Sequence, residues 1–496
     1  MSFPFKTRGR KRRRMRGMIT PDTSRCPFQA DGTQPASVDP APARHPPGAW
    51  PPGPPSGLTG WGLLARMARD LPGSLASWRQ AYGDVVHLRM WPEHEIVVSD
   101  PALVRELLVS RHDAIGRWER AVDIFAYLQG DSVLVAEGSA WAAKRQALQP
   151  AFVPKSVKAF VPTIAAAAEA AMAGWQPGAA MPIESALTSL AMDVIMRMMF
   201  SSEIGAEARA VEGAVQEALV AANAEMFWPA SAPDWLPWKR RKRQVRAMLA
   251  QLIERHVQAR LALPHDAWPQ DLLSRLLALH RQDAAAWPLS AVRDECMTAF
   301  IAGHETTAAS LSWWAWCMAA NPAAQEAARR EVDAVLQGGA PGEDALARLG
   351  YLAQTLNETM RLYPAAPILM SRRSTRAFTL GGWTMPARTM FMVPVFLMHR
   401  DPRWFPEPQA FRPERFGADA SAIPRGAFMP FGTGPRVCLG QHLALAEMTV
   451  VAAMLLQRFV LAKGEGMAEP EAVLNISLRP KAPLLLKVER RPAGSP

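Results

Sequence analysis

The sequence predicts a mainly α-helical fold with a small β subdomain, and three observations carry that prediction. From about 140 to 335, alanine and leucine dominate and apolar residues recur at three- and four-residue spacing, the period of a helix face. Short segments of strand character precede this region at 84–88 and 95–98, and proline- and glycine-punctuated strands and turns follow it at 362–416. The composition, 49% hydrophobic and 20% charged over 496 residues, is that of a globular chain able to bury a sizeable core.

The chain opens on a basic arm. Residues 1–17 hold Lys6, Arg8, Arg10, Lys11, Arg12, Arg13, Arg14 and Arg16 and no acid. Removing these eight charges from the net +11 leaves +3 for the rest, so the body is only mildly basic and nucleic acid is not an expected partner. Pro4, Gly9 and Gly17 break any amphipathic period. Residues 1–40 are therefore expected to form a disordered arm, with Met18 an alternative start. The first 60 residues contain neither an apolar run of the roughly 20 residues that span a bilayer nor a signal-peptide core, and a cytoplasmic location is expected.

Residues 41–57 contain seven prolines and read as a stiff linker, so the main domain is expected over 58–490, with a tail at 491–496. Residues 101–110 read as a helix with proline in its first turn. Helices are further predicted at 157–173, 183–200, 206–222 and 241–261, with a long apolar one over 289–319. Leu380-Gly381-Gly382-Trp383 reads as a hairpin turn. The four cysteines, Cys26, Cys296, Cys317 and Cys438, form no C-x-x-C pair and no zinc spacing, which argues for a reducing compartment and against a disulfide scaffold.

One of these cysteines carries the chemistry. Cys438 lies in Phe431-Gly432-Thr433-Gly434-Pro435-Arg436-Val437-Cys438-Leu439-Gly440, followed by an apolar helical run over 439–459. The glycines let the backbone pass close to a flat ligand, Arg436 can pair with a carboxylate, and the start of the helix favours a thiolate. A thiolate beneath a planar dianionic ligand suggests axial ligation of haem iron.

The run F-G-x-G-x-R-x-C-x-G resembles the haem-binding loop of the cytochrome P-450 superfamily at every specified position. The resemblance covers roughly 58–490, and, with no apolar N-terminal anchor, it is to the soluble, bacterial type. It implies the cytochrome P-450 fold, haem b as cofactor and Cys438 as the metal ligand, with Phe431 and Arg436 as haem contacts.

Ala302-Gly303-His304-Glu305-Thr306-Thr307 sits inside the 289–319 run. A glycine there costs about 1 kcal/mol relative to alanine and, beside a threonine that can bond back to the preceding turn, suggests a local distortion of the helix. The segment resembles the family's A/G-G-x-D/E-T-T signature. By that resemblance Thr306 and Glu305 are the catalytic alcohol and acid, Thr306 hydrogen-bonding dioxygen and Glu305 relaying protons. His304-Glu305 starts an H-E-x-x-H zinc motif, but position 308 is alanine, so that reading fails, and His304 is expected at the solvent or between helices.

Glu358 and Arg361 lie at i and i+3, and Arg415 sits in a Pro-Glu-Arg-Phe run. The family resemblance makes them a buried structural network under the haem loop, with His399 as support. It also makes Trp141 and Arg145, at i and i+4, haem-propionate partners, with Arg372 a further donor and Arg373 its adjacent competitor. Lys144, Arg145 and Arg436 are expected on the proximal side, where they would attract an acidic redox partner.

The resemblance implies a monooxygenase taking electrons from NAD(P)H through a separate ferredoxin or flavoprotein reductase, since no segment here supplies an iron–sulfur cluster or a flavin. A small apolar substrate, dioxygen and a monomer are expected. Residues 225–238, rich in tryptophan and proline, fall at the family's access region and are followed by the cations Lys239 to Arg243. An apolar lid over a membrane-dissolved substrate, with peripheral membrane contact, is one reading, and a structural loop with a solvated basic patch is the other. Two other functions stay open: a peroxide-driven or isomerising haem-thiolate enzyme, and a non-catalytic haem sensor.

Overall fold

The computed structural model describes residues 46, 48–203, 208–226, 240–464, 467–474 and 476–491. The basic arm, Cys26, Lys239, residues 492–496 and nearly all of the expected access region lie outside them.

The body is organised around the helix Leu289–Ala320. Its 32 residues make it roughly 48 Å long at about 1.5 Å per residue. From Val292 to Ala319 it is buried on almost every side, by the helices Ile183–Phe200, Arg240–Leu261, Leu272–Gln282, Gly350–Leu362 and Gln441–Arg458. A helix covered all round has no polar face to display, which is why this run is near-continuously apolar. Trp313 stacks on Tyr363 with ring centroids 4.0 Å apart and donates its indole N–H to the Leu478 carbonyl at 2.9 Å. The Trp314 indole donates to the Thr355 hydroxyl at 3.0 Å, so both tryptophans are packing residues with satisfied polar ends.

Several elements follow the sequence closely. The helix Ile183–Phe200 has the predicted bounds, and the 241–261 helix starts one residue earlier, at Arg240. The helix expected over 157–173 is instead two, Pro154–Lys158 and Val161–Ala173. Pro162 explains the restart, since proline suits a first turn and breaks an interior. The segment 101–110 is helical throughout but changes from the α-helix Pro101–Arg105 to a π-helical turn over Glu106–Ser110.

The main sheet has five strands, in the order Val85–Met90, Glu93–Val98, Met390–Val393, Leu369–Ser374 and Ile115–Arg117. Only the pairing of Glu93–Val98 with Met390–Val393 is parallel, and it closes a separation of about 300 residues. The predicted hairpin pairs Phe378–Leu380 with Trp383–Met385 around Gly381 and Gly382, both at positive φ. Phe459–Lys463, Leu485–Arg490 and Ala180–Pro182 form a second, three-stranded sheet.

The proline-rich segment lies along the first strand. Trp50 stacks on His87 and His94, each with centroids 4.5 Å away, and these two histidines share a hydrogen bond of 2.9 Å. His87 N–H donates to the Pro52 carbonyl at 3.0 Å. Gly53 is needed for this approach, because a Cβ there would fall 1.9 Å from the His87 carbonyl oxygen.

Candidate active site

The Cys438 loop takes a path that glycine permits. Gly432 and Gly434 have φ of 75° and 77°, and a Cβ on Gly434 would sit 2.3 Å from the Leu108 carbonyl oxygen. The turn closes when Cys438 N–H donates to the Phe431 carbonyl at 3.0 Å. Upstream, Met429 N–H donates to His399 Nε2 at 2.9 Å, and Arg361 donates to the His399 carbonyl at 2.9 Å. Arg361 also holds Glu358 at 2.7 and 2.8 Å, and Arg415 reaches the same carboxylate at 3.0 Å. The network expected from Glu358, Arg361 and Arg415 is thus assembled, and His399 links it to the loop.

Cys438 is ringed by protein at depth, yet its own surface is exposed, because it faces a space inside the fold rather than bulk solvent. Burial pushes its thiol above the ordinary range, while the Gly440 N–H and Arg145 pull it down. The Gly440 N–H, at the start of the following helix, thus acts in the direction expected of a helix end, against the larger effect of burial.

Beside the loop stands an excess of cations. Arg436 donates to the Ala136 carbonyl and to Glu137, both at 2.8 Å, and its guanidinium lies 4.1 Å over the Trp141 ring. Arg145 lies 5.9 Å from the same ring and close enough to Cys438 for their charges to interact. Arg372 is pushed down to about 10 by burial and by Arg436, with its guanidinium turned to the Met370 carbonyl. Its cross-strand partner Arg117, which sequence reasoning missed, is lowered to about 9 by burial, Arg436 and Arg372, and its buried Nε has no hydrogen-bond partner. Arg117, Arg372 and Arg436 therefore share one nearby carboxylate, Glu137. Three clustered guanidiniums with one acid, an orphaned buried N–H and an inward-open thiol fit a flat dianionic ligand, as haem with its two propionates is. The competitor Arg373 is excluded, because Glu93 and Glu119 occupy it.

The second half of the site is on the helix Leu289–Ala320. Ala302 is exposed in the middle of this otherwise buried helix, and one turn later Thr306 donates its hydroxyl to the Ala302 carbonyl at 2.9 Å. Both line a cavity of about 940 Å³ that also takes in Glu305, and Leu369 joins the two halves, lining the cavity and lying 3.8 Å from the Cβ position of Gly432. The cavity reaches the surface beside the exposed Trp61 and Trp91.

Glu305 is clamped. Arg479 Nε lies 2.7 Å from its Oε1, Ser477 donates to Oε1 at 2.7 Å, and Gln216 donates to Oε2 at 2.6 Å. Burial opposes its charge, but Arg479 and Ser477 prevail and hold the carboxyl below its usual range. No local motif announces these partners; Arg479 is 174 residues away.

Two further expectations change and one is narrowed. The helix is unbroken through Gly303, so the predicted distortion is absent. The glycine instead makes room for a neighbouring helix, since a Cβ there would meet Ile195 Cδ1 at 2.8 Å. Of the two positions expected for His304, at the solvent or between helices, the structure takes the buried one, with Nδ1 2.6 Å from the Phe300 carbonyl. Lys144 is no proximal surface cation, because it turns inward to Glu295 at 3.1 Å and lies 5.6 Å over Trp287. Of the Lys239–Arg243 run, Arg241 pairs with Glu217 at 3.0 Å, and Lys242 is buried against Glu225 and the Tyr127 ring. Among the described residues no helix is long and apolar enough to cross a membrane.

The family model described as Cytochrome P450 matches residues 51–488. The chain is 32% identical over 409 residues to cyclooctat-9-en-7-ol 5-monooxygenase of Streptomyces melanosporofaciens, covering 78% of this chain and 86% of that one. It is 32% identical over 451 residues to cytochrome P450 734A4 of Oryza sativa subsp. japonica, with 83% and 82% covered. It is 30% identical over 458 residues to cytochrome P450 97B2, chloroplastic, of Glycine max, with 79% and 78% covered.

Proposed function

The chain belongs to the cytochrome P450 family and is a monooxygenase, and from that premise we propose that it inserts one oxygen atom of dioxygen into an apolar organic substrate, using electrons from NAD(P)H delivered by a separate ferredoxin or flavoprotein. The family implies haem, and we assign haem b, which Cys438 would hold through its sulfur. Phe431 and Trp141 would contact it, and Arg145, Arg372, Arg436 and Arg117 would neutralise its propionates. When bound, the haem supplies dioxygen activation and C–H oxidation.

The chain's own residues do the rest. The Cys438 loop holds the sulfur in a fixed direction through the bond to the Phe431 carbonyl. Thr306, anchored through its own hydrogen to Ala302, leaves its oxygen able to accept a proton or hydrogen bond from within the cavity. Glu305 holds the adjacent acid position as a carboxylate, and moving a proton through it requires Ser477, Gln216 or Arg479 to let go. Apolar side chains such as Ile301, Phe125 and Leu219 line the cavity, which supports an apolar substrate. The relative acting on cyclooctat-9-en-7-ol supports an organic substrate. We place the enzyme as a cytoplasmic monomer.

The observation that carries this reading is the exposed thiol of Cys438 beside an arginine cluster short of acids. Cys438→Ser should abolish the thiolate-type Soret band of the reduced carbon monoxide complex, and a serine variant with an unchanged spectrum would refute the ligand assignment. Turnover with NAD(P)H and a surrogate reductase, but not with hydrogen peroxide alone, separates the monooxygenase from a peroxide-driven enzyme.

A further inference from the structure

The cavity contains an acid that none of this chemistry uses. We propose that Glu95 binds a hydrogen-bond-donating head group, a hydroxyl or an ammonium, at one end of an otherwise apolar substrate. The inference rests on reading the cavity as the substrate site.

Glu95 lies on the strand Glu93–Val98, where alternate residues share a face. Val97, two positions on, is buried with Met67, Leu71 and Met392. Directly across from Glu95 the neighbouring strands place Leu88 and Met390. Alternation thus calls for an apolar side chain at 95, and the chain supplies a carboxyl that is 3% exposed and lines the cavity. Burying an acid without a partner is costly, so a carboxyl kept in such a place points to a ligand.

The nearby cation does not satisfy it. Arg373 gives both terminal nitrogens to Glu93 at 2.8 Å, its Nε to Glu119 at 2.7 Å, and a further hydrogen to the Arg388 carbonyl at 3.1 Å. Glu95 accepts no hydrogen bond from any described residue. Burial and Glu93 push its carboxyl up to about 7, with Arg373 only partly offsetting them. A donor arriving with a substrate would meet an acceptor with nothing else to bind. Glu95 lies two residues into the strand from Glu93, which follows the turn holding the exposed Trp91, so it sits roughly 7 Å along the strand from its cavity-mouth end at about 3.3 Å per residue.

The test uses the haem-loaded, full-length enzyme at mildly alkaline pH, titrated calorimetrically with four probes of one chain length: dodecyl alcohol, its methyl ether, dodecylammonium and dodecanoate. The parent should bind the alcohol or the ammonium roughly tenfold or more tightly than the ether, and dodecanoate most weakly, as the loss of a hydrogen bond to a charged group predicts. Glu95→Gln separates the two head groups: a hydroxyl partner survives it, because glutamine still accepts, whereas an ammonium partner loses its advantage. Glu95→Leu should erase the preference for either, while its haem content and melting temperature match or exceed the parent's. Equal affinities for alcohol, ammonium and ether in the parent, or a preference unchanged in Glu95→Leu, would overturn the proposal and leave the substrate cavity standing. A parent that binds none of the four would overturn the reading of the cavity itself, and this inference with it.

Discussion

Among the described residues the Glu305 carboxyl has three side-chain partners and the Thr306 hydroxyl has one, and this difference separates what their substitutions should do. Among the described residues the Thr306 hydroxyl bonds only to the Ala302 carbonyl of its own helix, so Thr306→Ala removes a cavity hydroxyl and little packing. Haem content and the substrate-induced spin shift should stay near parental, while electrons divert to hydrogen peroxide release. Unchanged coupling between NAD(P)H consumed and product formed would show that Thr306 does not guide protons. Glu305→Gln is a different experiment. It leaves Arg479 buried, with only Glu184 at 2.6 Å as counter-ion. Losing half of a buried pair costs about 3–5 kcal/mol, so this variant should lose thermal stability along with turnover. An activity loss with no change in melting temperature would mean that the clamp adds nothing to the fold.

At the scale of elements, two glycines in the site's framework have unlike costs. A Cβ at Gly434 meets backbone, the Leu108 carbonyl at 2.3 Å, at a positive φ that L-residues resist. Gly434→Ala should therefore displace the Cys438 loop and lower haem occupancy. At Gly303 the obstacle is the flexible end of Ile195 at 2.8 Å, and alanine improves helix propensity by about 1 kcal/mol. Gly303→Ala should sit within about 1 kcal/mol of the parent in denaturant melts. A larger loss there than at Gly434 would reverse this account of which helix contact is rigid. Beneath the loop, Arg361 spends its donors on Glu358 and on the carbonyls of His399, Pro408 and Ala410. Arg361→Ala leaves Glu358 buried with fewer partners and should cost about 3–5 kcal/mol, read as a lowered denaturation midpoint. The pair at i and i+3 was visible in the sequence, but its burial was expected only by resemblance, since the same spacing on a surface contributes little.

For the whole molecule, the N-terminal region divides at Trp50. Residues 1–40 have no core-forming pattern, so deleting them should leave haem content and turnover unchanged. Deleting 1–57 removes the Trp50 stack on His87 and His94 and should lower the melting temperature. The same contact gives a pH signature. Burial, His94 and Arg89 lower His87 to about 4, so it is neutral when folded. Its contribution is complete above the unfolded value of about 6.5 and falls away as pH drops towards about 4. His87→Phe should flatten that part of the stability profile, and an unaltered profile would remove His87 as its source.

How much was legible depended on where the information lay. The Phe431–Gly440 run, the Leu289–Ala320 helix, the Ile183–Phe200 helix and the Gly381–Gly382 hairpin each carry their signal within a few turns of chain, and local spacing is enough to read it. The sequence by itself determined the mainly helical class, and its resemblance to the family marked the Cys438 loop, Glu305 and Thr306 as candidate residues of the site. The tertiary structure alone decided partners. It brought Arg479 from 174 residues away onto Glu305, stood Arg117 beside Arg372 across a strand pair, gave Arg373 to Glu93 and turned Lys144 inward to Glu295. An arginine looks the same in a sequence whether it meets a carboxylate, a carbonyl or an open site. Which of these it meets depends on which elements pack together, and local patterning does not encode that.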